Sequence, residues 1–358
     1  MTARDVERTV EALAATGLTA SADPVEILDE HADAHVAEVD QNRLSGVVVR
    51  ALAEGTAVAS NEVEQKFIAL HDEVMAQTMR VEIMAVRVSK LLASAEISHR
   101  LLKGAALAHT VYDDPAARSF RDVDVLVPSS EIEDAVQLFT AVGATRARPE
   151  LRAGYDRRFS KSVTMRLDGV EVDLHRLLSD GPFGVWQKPD DLFMVPRAIR
   201  VASTAIPVLD PTDNLIHACY HAALGQVEPA LSNLRDIALL AGSTDAPGFD
   251  SGRFDQSIDR WRGRAVVARA VRLVANRLGD ILPSELSKYD QISVDEDERS
   301  ALAPYLVEGD SGRFGALAPA TLAALPMGER AAYALAVGLP DGSEPVSRLK
   351  NLFSKFRS

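Results

Sequence analysis

Hydrophobic and polar positions follow three successive textures along this chain. From residue 1 to about 97 there is almost no strand signal. Asp23-Pro24 reads as an N-cap followed by proline at the first helical position, opening a helix that runs to about Glu54 and is closed by Gly55. From Asn61, apolar residues recur at Val63, Phe67, Leu70, Val74, Val81, Met84, Val88, Leu91 and Ala95, with one polar gap at Gln77-Thr78. Steps near three and four predict one long amphipathic helix. Its heptad-like spacing would suit an oligomer joined through residues 61–97, although packing against its own neighbours in a bundle is the simpler reading.

Around Ile97 the texture changes. Ile97 to Gly104 reads as a short strand running into a glycine turn, followed by a helix from Ala105 to Tyr112. A strand over Val123–Val127 precedes a helix over Ala135–Val142 that is closed by Gly143. Alternating runs near 158–167 and 170–177 flank Asp168-Gly169, a two-residue turn preferred in hairpins, and a small final hairpin is expected over 199–209. Asp210-Pro211 then opens a third, helical texture, with helices over 212–224, 230–241 and 261–278 and more from about 298 to 337. The pattern predicts an α+β chain, a small mixed β-sheet core flanked by N- and C-terminal helical domains. The expected divisions are 1–97, 98–209, 210–340 and a basic amphipathic tail over 341–358, where Val346, Leu349, Phe353 and Phe356 alternate with Arg348, Lys350, Lys355 and Arg357. Such a tail docks on the chain itself or on an anionic surface.

Composition narrows the function. With 358 residues, 47% hydrophobic and 25% charged, the chain has the length and apolar content for more than one core. A net charge of −13 argues against a general nucleic-acid binder, because such binding depends on neutralising phosphates with Lys and Arg. The single cysteine, Cys219, excludes an intrachain disulfide, and the first residues lack a signal-peptide pattern, so the cytoplasm is the expected compartment. No apolar run is long enough to predict a membrane span.

The chemistry concentrates in the strand that follows Arg118. Asp122 and Asp124 are two apart and project from one sheet face, while Val123, Val125 and Val127 fill the other. Adjacent carboxylates raise one another's pKa unless a cation neutralises them, so the pair reads as ligands for a hard divalent ion, magnesium or manganese. Asp173, in the alternating run Val170–His175, offers a third acid, with Glu171 and His175 on its face. His217 and His221 are four apart on one helix face, which is metal-ligand spacing, but nothing nearby completes a zinc pattern, and packed or cleft-lining histidines are the simpler reading.

Taken together, Leu102-Lys103-Gly104, Arg118, Asp122-Val-Asp124-Val-Leu-Val127 and Val172-Asp173-Leu-His175 resemble the DNA polymerase β-like nucleotidyltransferase superfamily, and within it a poorly characterised bacterial nucleotidyltransferase family. The resemblance covers roughly 97–241 and extends to His217, His221 and Asn233-Leu-Arg-Asp236. It implies a nucleotidyltransferase core and magnesium-dependent transfer of a nucleoside monophosphate from a triphosphate such as ATP. Asp122, Asp124 and Asp173 would be the metal-holding catalytic acids. Lys103, Gly104, Arg118 and His175 would line the nucleotide, with His217, His221 and Arg235 near the cleft. Where many relatives place a second Gly or a Ser after the glycine, this chain has Ala105, which removes a hydroxyl contact to phosphate. The flanking helices carry neither a base-stacking aromatic pattern nor a basic stripe, so a small molecule or a peptide is the expected acceptor rather than RNA. A non-catalytic nucleotide- or metal-binding interaction module is the alternative, and magnesium-dependent pyrophosphate release separates the two.

Overall fold

The computed structural model describes residues 3–18, 23–242 and 249–338. The tail expected over 341–358 lies outside the described residues. Helix α1 (Ala3–Ala15) leads to strand β1 (Val25–Glu26), helices α2 (Ala32–Gln41) and α3 (Ser45–Ala53), strand β2 (Ala57–Val58) and the long helix α4 (Asn61–Ser94). The single helix expected from Pro24 to Glu54 is therefore broken. Val25 pairs in parallel with Ala57, which fixes the chain as extended at β1. A turn at Asn42–Leu44 separates α2 from α3, with Arg43 in the left-handed region at φ 58°.

The central part contains β3 (Arg100–Leu101), α5 (Lys103–Ala108), β4 (Val123–Leu126), α6 (Ile132–Ala141), β5 (Thr145–Arg146), α7 (Tyr155–Arg158), β6 (Ser162–Leu167), β7 (Val170–His175), α8 (Gly181–Trp186), β8 (Arg197–Val201) and β9 (Thr204–Val208). Its seven strands form one mixed sheet in the order β5-β6-β7-β4-β3-β9-β8. β4 runs parallel to β7, and β3 parallel to β9. The Asp168-Gly169 turn closes the β6–β7 hairpin as expected, with Leu167 opposite Val170. Helices α9 (Pro211–Gly225), α10 (Leu231–Gly242), α11 (Ser251–Arg260), α12 (Arg264–Leu278), α13 (Ser284–Ser287), α14 (Glu296–Leu302), α15 (Asp310–Ala324) and α16 (Met327–Gly338) complete the chain. Asp210 caps α9 by accepting from the Thr212 N–H at 2.9 Å, as the Asp-Pro signal predicts. The helix expected over 261–278 is α12, which begins only at Arg264 after Gly263, while Trp261 caps the C-terminus of α11, a helix the pattern did not predict.

Two large cores explain the pattern of α4. Its first turns bury Val63 and Phe67 in a helical core that also takes Val10, Leu13, Val39 and Val48 from the N-terminal helices and Leu215, Leu234 and Val267 from α9, α10 and α12. Its later turns bury Val81, Met84, Val88 and Leu92 against the sheet, with Val125, Leu174 and Val208. The polar gap in the sequence falls where the helix passes from one core to the other. There Thr78 is buried with its hydroxyl returned to the Val74 carbonyl at 2.9 Å. The heptad-like stripe is thus occupied within the chain. The helical core also takes Leu102 beside β3 and Leu126 of β4, so the N- and C-terminal helices pack together against the strands that carry the site.

Candidate functional site

The site forms where β4 and β7 lie side by side. In their parallel register Asp124 is opposite Asp173, and Leu126 opposite His175. Paired residues on neighbouring strands share a face, so Asp124, Asp173 and His175 project the same way, while Asp122 lies in the bend just before β4. Ligand atoms of Asp124, Asp173 and His175 all lie within 4.8 Å of one another. Asp124 is almost fully buried, and one of its oxygens, Oδ1, faces both Lys103 Nζ at 2.6 Å and His175 Nε2 at 2.7 Å. Burial opposes its charge, but Lys103 and His175 outweigh that and hold its carboxyl well below the usual range. Asp122 behaves oppositely. The charge of Asp124, followed by burial, pushes it up to about 6 against the pull of Lys103 and Arg43. Burial, assisted by Lys103 and Lys161, keeps the His175 imidazole below its ordinary pKa despite the bond to Asp124, so Nε2 is the donor in that bond.

Local backbone geometry places Lys103. The Leu102 N–H donates to the Asp124 carbonyl at 2.9 Å, continuing the β3–β4 pairing up to the glycine turn. Lys103 itself has φ 44°, a left-handed conformation uncommon for a residue with a Cβ. A Cβ on Gly104 would lie 2.8 Å from Phe120 Cβ, so only glycine lets this turn close onto the segment leading into β4.

A cation here would find what a hard divalent ion requires: carboxylate oxygens from adjacent strands, and an acid, Asp122, that its neighbour keeps from ionising easily. The residues present fit such an ion. Thr164, which the sequence pattern alone did not single out, donates its hydroxyl to Asp173 Oδ1 at 2.5 Å. Its place was recoverable. Counting back from the Asp168-Gly169 turn puts Thr164 opposite Asp173.

Other expected site residues are placed differently. Arg118, expected against phosphate, is buried and engages Asp236, with NH2 to Oδ2 at 2.8 Å and Nε to Oδ1 at 3.0 Å, while NH1 donates to the Ser119 carbonyl at 2.6 Å. The Tyr112 hydroxyl donates to the same carboxylate at 2.8 Å. Arg118 is thus directed to a carboxylate of α10 and not toward the acid row. Arg235 is also turned away, donating to the Ala14 and Thr16 carbonyls, each at 2.7 Å, at the C-terminal end of α1. His217 and His221 are neighbours on α9 with ring centroids 6.3 Å apart, and neither makes a hydrogen bond among the described residues. Burial, then Lys103, depresses both imidazoles well below their ordinary pKa, so they are neutral groups facing the site. Neither belongs to the metal-capable group found among the described residues, which is Asp124, Asp173 and His175, and the expected ligand Asp122 is not in it either.

A seven-stranded mixed sheet with helical flanks is consistent with a nucleotidyltransferase-like fold. Residues 28–279 match the family described as uncharacterised nucleotidyltransferase, and the chain belongs to it. Among solved structures, the chain is similar to an antigenic nucleotidyltransferase-like protein from Paracoccidioides brasiliensis, at 14% identity over 61% of this chain and 95% of that one, with a TM-score of 0.35. A likeness that slight supports no statement about activity. No curated protein matches the chain. No helix among the described residues is long and apolar enough to cross a membrane.

Proposed function

We propose that the chain transfers a nucleoside monophosphate from a nucleoside triphosphate to a hydroxyl of a small-molecule or peptide acceptor, with magnesium as the resident ion. The observation that carries this reading is the opposition of Asp124 and Asp173 on neighbouring parallel strands, with Lys103 at the glycine turn beside them. Asp122, Asp124 and Asp173 would hold the ion, which when bound would neutralise phosphate charge and withdraw electrons from phosphorus.

The chain's own residues take the remaining parts. The acceptor oxygen forms a bond to the α-phosphorus, the bond from that phosphorus to the bridging oxygen of the β-phosphate breaks, and pyrophosphate leaves with the electron pair. Asp173, held in place by the Thr164 hydroxyl, takes the acceptor's proton on its other oxygen. His175 orients Asp124 through Nε2. Lys103, now paired with Asp124, would offer its ammonium to a phosphate oxygen. Neutral His217 and His221 line the acceptor side, where they offer hydrogen bonds without adding charge.

The test is a panel of triphosphates labelled at the α-phosphate, incubated with magnesium and cell extract. Label should pass to one acceptor with release of pyrophosphate. Binding without release, for every base tried, would favour the non-catalytic module.

A further inference from the structure

Most basic side chains around the acid row already have an anionic or carbonyl partner. Lys103 is bound to Asp124, Arg118 to Asp236 and Arg121 to Asp40, and Arg176 donates to the Ser160 and Arg158 carbonyls. Arg43 and Lys161 differ. Both are half-buried, and neither makes an ion pair or donates a side-chain hydrogen bond among the described residues. We infer that Arg43 and Lys161 hold the substrate's phosphate chain from either side of the acid row, an inference that rests on the nucleotide-transfer reading.

The fold fixes the position of each. Arg43 sits in the α2–α3 turn, where the Leu44 N–H returns to the Val39 carbonyl at 3.0 Å. That turn is clamped from two directions. Asn42 Oδ1 accepts from the Leu231 N–H at 2.9 Å, and Asp40 accepts from Arg121 at 2.7 Å. Gly46 then lies so near Ala116 that a Cβ would come within 2.3 Å of its carbonyl oxygen. The turn is therefore seated on the segment that leads into Asp122. On the other side, the Lys161 carbonyl accepts from the Arg176 N–H at 2.8 Å, one residue before Ser162 pairs with His175.

The charges that each cation meets agree with this bracketing. Arg43 is depressed by burial and by Arg118, offset by Asp122, and depressed further by Arg121 against a pull from Asp124. Lys161 is depressed by burial and by Lys103, offset by Asp180, Asp124 and Asp173. A partly exposed cation with no partner is free to meet an anion that arrives. A phosphate chain seated on the acid row by its metal would meet Arg43 beyond Asp122 and Lys161 beyond Asp173. Arg43 would give the N-terminal helices a direct part in the site, one that no motif in the strand region contains.

The test uses inorganic tripolyphosphate with magnesium, which probes the phosphate chain without a base and without turnover. In calorimetric titrations of the full chain, Arg43→Ala and Lys161→Ala should each weaken binding about 10-fold or more, and Arg43→Lys should keep part of the affinity. Melting temperatures should stay level or rise, since each alanine removes an unpartnered charge. Wild-type affinity in both variants overturns the inference and leaves nucleotide transfer standing. So does a lowered melting temperature with unchanged affinity per folded molecule, with Arg43→Gln and Lys161→Met confirming either result. If the wild-type chain binds no tripolyphosphate, with or without magnesium, this inference and the nucleotide reading fall together.

Discussion

Two charged clusters lie at either end of the segment from Arg118 to Asp124, and they are built on opposite principles. At one end Arg118, Asp236 and Tyr112 form a closed network in which the guanidinium and the carboxylate face one another directly and the phenol adds a further bond. Burial alone would lower the Arg118 pKa, but Asp236 raises it above its ordinary value. At the other end Asp124 and Asp173 share one sheet face with Asp122 just before the strand, Asp122 cannot ionise easily beside them, and Arg43 and Lys161 stand nearby without partners among the described residues. Saturated charges hold a fold in one arrangement. Unsaturated ones are stable only if something else completes them, so on the proposed reading charge imbalance marks the working end of this segment and charge balance its scaffold.

The sharpest way to break that distinction is at Asp173. Asp173→Asn should lower nucleotide transfer by about 10³-fold or more, roughly 4 kcal/mol of transition-state stabilisation, while thermal unfolding stays close to wild type. Label transfer and a melting curve on the same preparation check both halves. Transfer at the wild-type rate, or an unfolded protein, would place Asp173 with the scaffold. Thr164→Ala should act in the same direction but more weakly, by about 10-fold, because it removes only the hydroxyl that holds the carboxylate.

The scaffold end should respond in the reverse sense. Asp236→Asn leaves the buried Arg118 guanidinium without its counter-charge and should cost about 3–5 kcal/mol in denaturant unfolding. Tyr112→Phe removes one hydrogen bond of the network and should cost about 1 kcal/mol. If Arg118→Ala left stability intact and abolished nucleotide binding, Arg118 would belong to the working end after all.

How far each end could be read from sequence depends on the same contrast. The pairing of Asp124 with Asp173 and His175 was legible because strand alternation is strictly period two, so Asp173 had to share a face with His175; Asp122, expected on the face of Asp124, instead precedes the strand in a bend. The Asp168-Gly169 turn fixed the register that adds Thr164. The partner of Arg118 was not legible, because an arginine that meets phosphate and one that meets a carboxylate look alike in sequence. Here the partner is 118 residues away. Arg43 left no signal either, since it lies in a turn inside a stretch that read as one continuous helix. That helix is broken by contacts local propensity cannot anticipate, the pairing of Val25 with Ala57 and the Asn42 clamp on Leu231. The two-core course of α4 did leave a trace, the polar gap at Gln77-Thr78, though its meaning needed the fold.

Between the two ends lies Gly104, and a methyl group there tests whether they are mechanically joined. Gly104→Ala would push a Cβ into Phe120, whose backbone lies between Arg118 and Asp122. Overpacking of this kind costs about 1–3 kcal/mol. The larger loss should be in triphosphate binding, because the displaced turn carries Lys103. Phe120→Leu in the same chain should restore part of both. Full stability with lost binding would show that the turn serves the site alone.

The smallest expected effect is the pH dependence of the acid row. Asp122 titrates near 6 in the folded chain, above the 3.8 of an unperturbed aspartate. Below about pH 4 it is protonated in both folded and unfolded states and has no effect on their balance. As the pH rises from 4 toward 6, the unfolded chain releases that proton while the native one retains it, so stability falls, and the loss is complete only once the native group has ionised. Allowing for the solvent that Asp122 still sees, the penalty at pH 7 should be about 1–2 kcal/mol. Asp124, held well below its ordinary value, acts in the opposite sense and stabilises the fold until the solution is strongly acid. Asp122→Asn should therefore flatten the decline in melting temperature between pH 5 and 7 and raise stability at neutral pH, whereas Asp124→Asn should lower it by leaving Lys103 without its counter-charge. Magnesium binding requires the ionised acid, so its stabilising effect should grow over the same interval in the wild-type chain. A magnesium-induced rise in melting temperature that is flat across pH 5–7, or equal in Asp122→Asn, would put the cation somewhere other than the row and leave the contrast between the two ends without its electrostatic basis.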